Sequence, residues 1–234
     1  MTYIEIVNSV LVRLREEKVD AVNENEYSSL IGQLVNVAKR DVENAFNWEA
    51  LRKTVHLITA VDTFHYELLD TTTDARTLDV YNATNRNWLG SKTTEWMDAA
   101  FAPDDVPTGS PQAYSWNGVT SKGNLEVDLY PIPAKIERLR FNMTTPQKDL
   151  VAEGDELYVP HMLVIENTLA RAIEERGEDG GSSNQQQRYQ SLLADAISME
   201  SSRKPCLLYT SDAADDSLRV DLGGRRIIKK TRAA

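Results

Sequence analysis

The sequence predicts an α+β fold: a discontinuous helical bundle, with one helical pair at each end of the chain, carrying an inserted antiparallel β-rich domain. Three observations lead there. Apolar residues recur at helical spacing up to about Trp48 and again from Tyr158, and between these limits the period drops to two. Short clusters of Gly, Pro, Asn and Asp punctuate the middle, as they do between strands. The expected segments are an N-terminal helical pair over 1–52, the β-rich insert over 53–157, a C-terminal helical pair over 158–205 and a tail over 206–234.

In chain order, Thr2 is placed to cap a first helix whose face is Ile4, Val7, Leu11 and Leu14, widened by Val10. A second helix follows the Asn23, Asn25, Ser28 interruption, with Leu30, Leu34, Ala38, Val42 and Ala45 on one face and Lys39, Arg40 and Glu43 on others. Gly32 within it costs about 1 kcal/mol against alanine, so its presence marks either close helix packing or nothing. From Lys53 the alternation of Thr54–Ile58 and Phe64–Leu68 around Ala60-Val61-Asp62-Thr63 reads as a hairpin. Thr77–Tyr81 is a third strand, and Trp96, Met97, Ala100 and Phe101 suit a short helix starting near Ser91. After a proline-rich loop, Ala113–Trp116, Leu125–Leu129 and Leu139–Met143 complete an antiparallel sheet or small barrel.

The C-terminal pair is the clearest part. Met162, Ile165, Leu169, Ala172 and Ile173 form one stripe, with Pro160 at the start and Gly177 at the close. GEDGGSS then turns the chain into a second helix, capped by Ser182 or Ser183, with Tyr189, Leu192, Leu193, Ala196 and Ile197 as its stripe. The tail, Cys206 to Ala234, shares no period with what precedes it. It resembles translated sequencing-adaptor read-through and is expected to be disordered, with no evolved role.

A formal net charge of −10 argues against nucleic-acid binding as the main task, because phosphate neutralisation needs clustered Lys and Arg. No run approaches the roughly 20 apolar residues of a membrane span, no secretory signal is legible, and one cysteine excludes an internal disulfide framework. The three histidines are His56, His65 and His161. His56 and His65, with Glu67 as third ligand, sketch a metal-dependent hydrolase, against which half-exposed strand histidines are the stronger reading. Asp104-Asp105 and Asp155-Glu156 lack the alternate spacing of a calcium loop and read as solvated charge. No GxSxG elbow, Walker loop or GxGxxG occurs, so no catalytic residue, cofactor site or metal site is assigned, and the chain is not expected to be an enzyme. Trp48, Trp88, Trp96 and Trp116 are scattered without interleaved basic residues and read as core or interface anchors.

Several phrases, taken in order, carry a resemblance: GSPQAYSW from Gly109, LEVDLYPIP followed by RLRFNM, the hinge DELYVP from Asp155, then ARAIEERGED and SSNQQQRYQSLL. Over Thr2 to Pro205 the chain resembles the head-to-tail adaptor proteins of short-tailed bacteriophages, the tail tubular protein A-like phage adaptors. The resemblance implies a structural virion protein, assembled in the host cytoplasm. It would form a homo-oligomeric ring, commonly of twelve copies, that joins the capsid portal protein to the tail nozzle protein. DNA would pass through its channel during genome ejection without sequence-specific binding. Portal or neighbour contacts are then expected on Met162, Ile165, Leu169, Tyr189 and Leu193, a stripe that serves equally as intramolecular core. Neighbour or nozzle contacts are expected on Trp88, Trp96 and Trp116. A head-completion or tail protein outside the portal ring would share the same profile.

Overall fold

The computed structural model describes residues 1–203 apart from Asp104 and Glu178, so the tail from Cys206 lies outside the described residues. Met1–Asp195 form one compact unit. The chain from Ala196 belongs to a second, whose described part is the end of the last helix.

Helix α1, Tyr3–Arg13, starts where the Glu5 carboxylate accepts the Thr2 amide at 2.9 Å. Helix α2, Glu26–Ala45, starts at Asn25, whose side chain accepts the Ser28 amide at 2.7 Å while the Ser28 hydroxyl accepts the Asn25 amide at 3.2 Å. The buried face of α2 keeps the expected Ala38 and Val42 but runs on through Ile31 and Val35, while Leu30 and Leu34 are only half-buried and Ala45 is exposed. Lys39 and Glu43, expected on other faces than the apolar one, are buried with them. Gly32 gives the reason. A Cβ there would stand 2.5 Å from Tyr3 Oη and 2.6 Å from Val22 Cγ1, so the glycine lets α1 and the 14–25 connection approach α2 on that side. Gly32→Ala should therefore lose stability: overpacking of about 1–3 kcal/mol outweighs the roughly 1 kcal/mol gained in helix propensity. A lowered Tm in thermal unfolding is the expected result, and an unchanged or raised one would show that Tyr3 yields freely.

Helix α4, His161–Glu175, packs against both α1 and α2 and ends at Gly177 with φ +73°. (Helix α3 belongs to the β-rich part, below.) Over Leu163–Ala170 every residue is buried, so α4 is central and not, as its sequence pattern suggested, one-sided. Helix α5, Asp179–Ser202, begins inside the expected GEDGGSS turn, earlier than a Ser182 or Ser183 cap would allow. Its stripe is thinly covered: Tyr189 is buried, and Leu192 and Leu193 are only half-buried.

The β-rich part contains β1 Arg52–Ile58, β2 His65–Leu68, β3 Arg76–Asn82, β4 Asn87–Trp88, β5 Gly90–Ser91, β6 Thr108–Gly109, β7 Ala113–Val119, β8 Leu125–Tyr130, β9 Ile132–Pro133 and β10 Arg138–Thr144. Helix α3, Thr94–Phe101, interrupts them where the short helix near Ser91 was expected, capped by the Thr93 side chain. The first sheet runs β1-β10-β3-β4 and the second β2-β8-β7-β5, with a separate β6-β9 pair. The long ladders are antiparallel as expected, and β5–β7 and β6–β9 are short parallel additions. The expected β1–β2 hairpin does not form. Residues 59–64 instead carry the chain from the edge of one sheet to the edge of the other, because Val55, Leu57 and Leu68 all face one shared core. Leu139, Phe141 and Met143 of β10 meet Val127 and Leu129 of β8 across that core, making a sandwich rather than a closed barrel.

The chain between β10 and α4 straps across the helices. Asn36 and Leu150 exchange two hydrogen bonds of 3.0 and 2.8 Å, and Tyr3 donates its amide to the Asp155 carbonyl at 2.9 Å. The Lys39 ammonium, wholly buried, donates to the Gln147 carbonyl at 2.6 Å and stands 3.4 Å from Glu43.

Candidate interaction surfaces

The predicted helical contact residues divide by position. Ile165, Leu169 and Tyr189 are buried within the chain, Leu193 is half-buried, and Met162 is 40% exposed. Met162 opens onto a groove of about 760 Å³ between α1 and α4, lined by Met1, Ile4, Val12 and Ile165 and rimmed by Glu5, Lys18 and His161. Met1 and Val12 are also exposed, so an apolar strip continues from one helix to the other. Sequence spacing could not find it, because it needs residues from two helices 150 positions apart in register.

Beneath the far end of that strip lies a polar junction with no sequence signal. Glu166 is wholly buried, yet Arg13 of α1 donates to it at 2.7 Å and Arg188 of α5 stands 3.5 Å away. Gln185 of α5 donates to its second oxygen. Three elements therefore converge on one carboxylate, which is how a buried charge becomes tolerable. Tyr189 sits alongside, its hydroxyl pushed above the usual tyrosine range first by burial and then by Asp41. Asp41 itself takes Asn167 at 3.0 Å and Arg171 at 2.5 Å.

On the sandwich, Trp88 is 63% exposed and lies 4.8 Å, centroid to centroid, from Tyr81. Cross-strand register sets His56, Arg140, Tyr81 and Trp88 in one row across β1, β10, β3 and β4, all on the solvent side. Trp96 is 38% exposed, carries Lys92 over its ring at 5.1 Å, and meets Tyr130 edge-on at 5.2 Å. Phe101 links Tyr130 to Phe64. Trp116 differs: it packs 6.0 Å from Phe141 and 5.9 Å from Tyr114 at the margin of the core.

The suggested metal set does not assemble. His56 faces outward from the first sheet and His65 from the second, with the core between them, so they cannot share an ion. His65 instead bonds Asp128 at 2.6 Å, and Glu67 accepts from Asn124 at 2.7 Å. Asp155 closes a turn by accepting the Val151 and Ala152 amides, both at 2.8 Å, and those bonds hold it below the usual carboxylate range. Asp104 lies outside the described residues. His161 stands at the start of α4 on the groove rim. Among the described residues no group of three His, Cys, Asp or Glu is placed to hold a metal ion, and no helix is long and apolar enough to cross a membrane.

An exposed apolar groove and exposed aromatic side chains on the sheets are features that protein–protein interfaces favour. A family model described as SU10 adaptor protein matches residues 1–217, and the chain belongs to this family of phage head–tail adaptors. Its setting is therefore the virion, in contact with other phage head and tail proteins. None of the curated proteins matches it.

Proposed function

We propose that copies of this chain form a ring between the capsid portal protein and the tail nozzle protein, leaving a channel through which DNA passes. The observation that carries the reading is the family match over residues 1–217. Two surface features support it: the apolar α1–α4 groove around Met162, and the exposed Trp88 and Trp96 on the sandwich. The helical side, with Met162 and the final helix including Leu193, takes the portal, and the sandwich takes neighbours and nozzle. Ile165, Leu169 and Tyr189 support the portal face from within by holding α4 and α5 in place. The role is structural, with no catalytic residue and no cofactor. A ring of twelve copies is the expected stoichiometry.

Native mass spectrometry of the full chain mixed with the matching portal ring tests this. The expected result is a complex carrying about a dozen copies, weakened by Met162→Glu. A portal ring that recovers no bound chain sinks the connector reading.

A further inference from the structure

The two outer faces of the sandwich carry opposite charge. On the first sheet, His56, Arg138 and Arg140 are exposed, and neither arginine has an ion-pair partner among the described residues. Arg52 extends this face, tied to Glu49 at 2.9 Å, and Asp79 is its one acid, held by Asn142 at 2.5 Å. Trp88, more exposed than any other tryptophan, ends the row that contains Arg140.

On the second sheet the cross-strand pairs on the side away from the core are His65 with Asp128 and Glu67 with Glu126; His65 and Glu67 are exposed, Glu126 is half-buried and Asp128 is buried. Neutral donors hold two of these carboxylates: Asn124 on Glu67 at 2.7 Å and Asn117 on Asp128 at 2.8 Å. The Asn124 bond, ahead of Thr120 and Lys122, keeps Glu67 below the usual carboxylate range. Helix α3 lies over one end of this face through its Trp96 and Phe101 contacts with Tyr130, and adds exposed Glu95 and Asp98. His65, Lys92 and Lys122 are the cations nearby.

Two complementary patches on opposite sides of one body cannot satisfy each other within a chain. Two copies can satisfy them head to tail, and that heterologous contact repeats until a ring closes. We infer that the basic face of the first sheet, around Arg138, Arg140 and Trp88, docks on the acidic face of the second sheet, around Glu67 and Glu126, of a second copy of this chain. The inference deepens the ring reading and rests on it. The chain's own acidity favours this occupant: a net charge of −10 makes a copy of itself a partner for a face on which arginines stand unpaired, while it repels nucleic acid elsewhere. Trp88 supplies the desolvated anchor that charge alone does not.

The test uses the full chain at low ionic strength, read by sedimentation velocity and native mass spectrometry. The unaltered chain should self-associate, and salt should disperse it. The double variants R138E/R140E and E67K/E126K should each associate about tenfold more weakly. Mixed in equal amounts, they should associate again in alternating copies, because each face of one variant then meets a face of opposite charge on the other. Trp88→Ala should weaken association without changing its dependence on salt. Variants that associate like the unaltered chain, a mixture that does not associate, or an unaltered chain that stays monomeric at low salt would overturn the contact. So would loss of DNA-duplex binding in R138E/R140E with self-association intact, which would give the face to nucleic acid. Portal binding by the same samples separates the readings: a chain that binds portal but not itself keeps the connector role and loses this contact.

Discussion

Lys39→Ala is expected to lower stability by about 3–5 kcal/mol, because it leaves the Glu43 carboxylate buried without its cation. The Lys39 and Glu43 side chains are 0% and 1% exposed, so solvent screens neither. The same ammonium also satisfies the Gln147 carbonyl, which ties the strap after β10 to α2. Urea unfolding would measure the loss as a lowered midpoint at nearly constant slope. Replacing both partners, Lys39→Met with Glu43→Leu, should restore most of it, since apolar groups of similar volume need no desolvation. A single variant as stable as the parent would mean that Glu43 already folds uncharged.

Glu43 also sets a pH dependence of definite sign. Burial pushes its carboxyl above the ordinary 4.5, against the pull of Lys39 and of the Gln147 amide. The folded state then holds this proton more tightly than the unfolded state. From 4.5 up to the raised value, stability therefore falls as pH rises. Glu43→Gln should remove that slope in that window and leave the rest of the profile in place.

Phe141→Ala is the second large effect, with an expected loss of about 3–5 kcal/mol. Phe141 is wholly buried, stands 6.1 Å from Tyr114 and 6.0 Å from Trp116, and lies on the strand that pairs with both β1 and β3. A cavity there removes transfer energy and edge-on aromatic contacts together. Phe141→Leu should cost clearly less, because it keeps most of the volume. Calorimetry on both variants distinguishes a cavity from a local rearrangement: equal losses would mean that the sandwich collapses around the smaller side chain.

Legibility followed the physics of each element. The alternation Leu139, Phe141, Met143 against Arg138, Arg140, Asn142 predicted which side of β10 is buried, because a strand's period is strictly two and the burial followed it. The existence and extent of α1 and α4 were readable from their stripes, but not the burial of α4 on all sides over Leu163–Ala170. On α2 the expected Ala38 and Val42 are buried, but over the first half of the helix the buried face moves by one residue, from Leu30 and Leu34 to Ile31 and Val35. Leu30 and Leu34 are as apolar as Ile31 and Val35, and only the close approach of Tyr3 at Gly32 selects between them. The β1–β2 hairpin failed because turn chemistry marks a reversal without saying which sheet receives the next strand.

The sequence by itself determined the α+β class, the position of the strands between helices and the lack of any catalytic signature. All are local or compositional properties. The tertiary structure alone decided three further features. It buried Lys39, Glu43 and Glu166 and brought to them the Gln147 carbonyl and amide and the Arg13 guanidinium, from 108, 104 and 153 residues away. It aligned Trp88, Tyr81, Arg140 and His56 from four strands into one row. And it parted the arginines of β10 from the carboxylates of β2 and β8 by a full apolar core, so that a chain acidic in sum presents one basic face. Charge in a sequence is only a total, and strand pairing is what gives it sides.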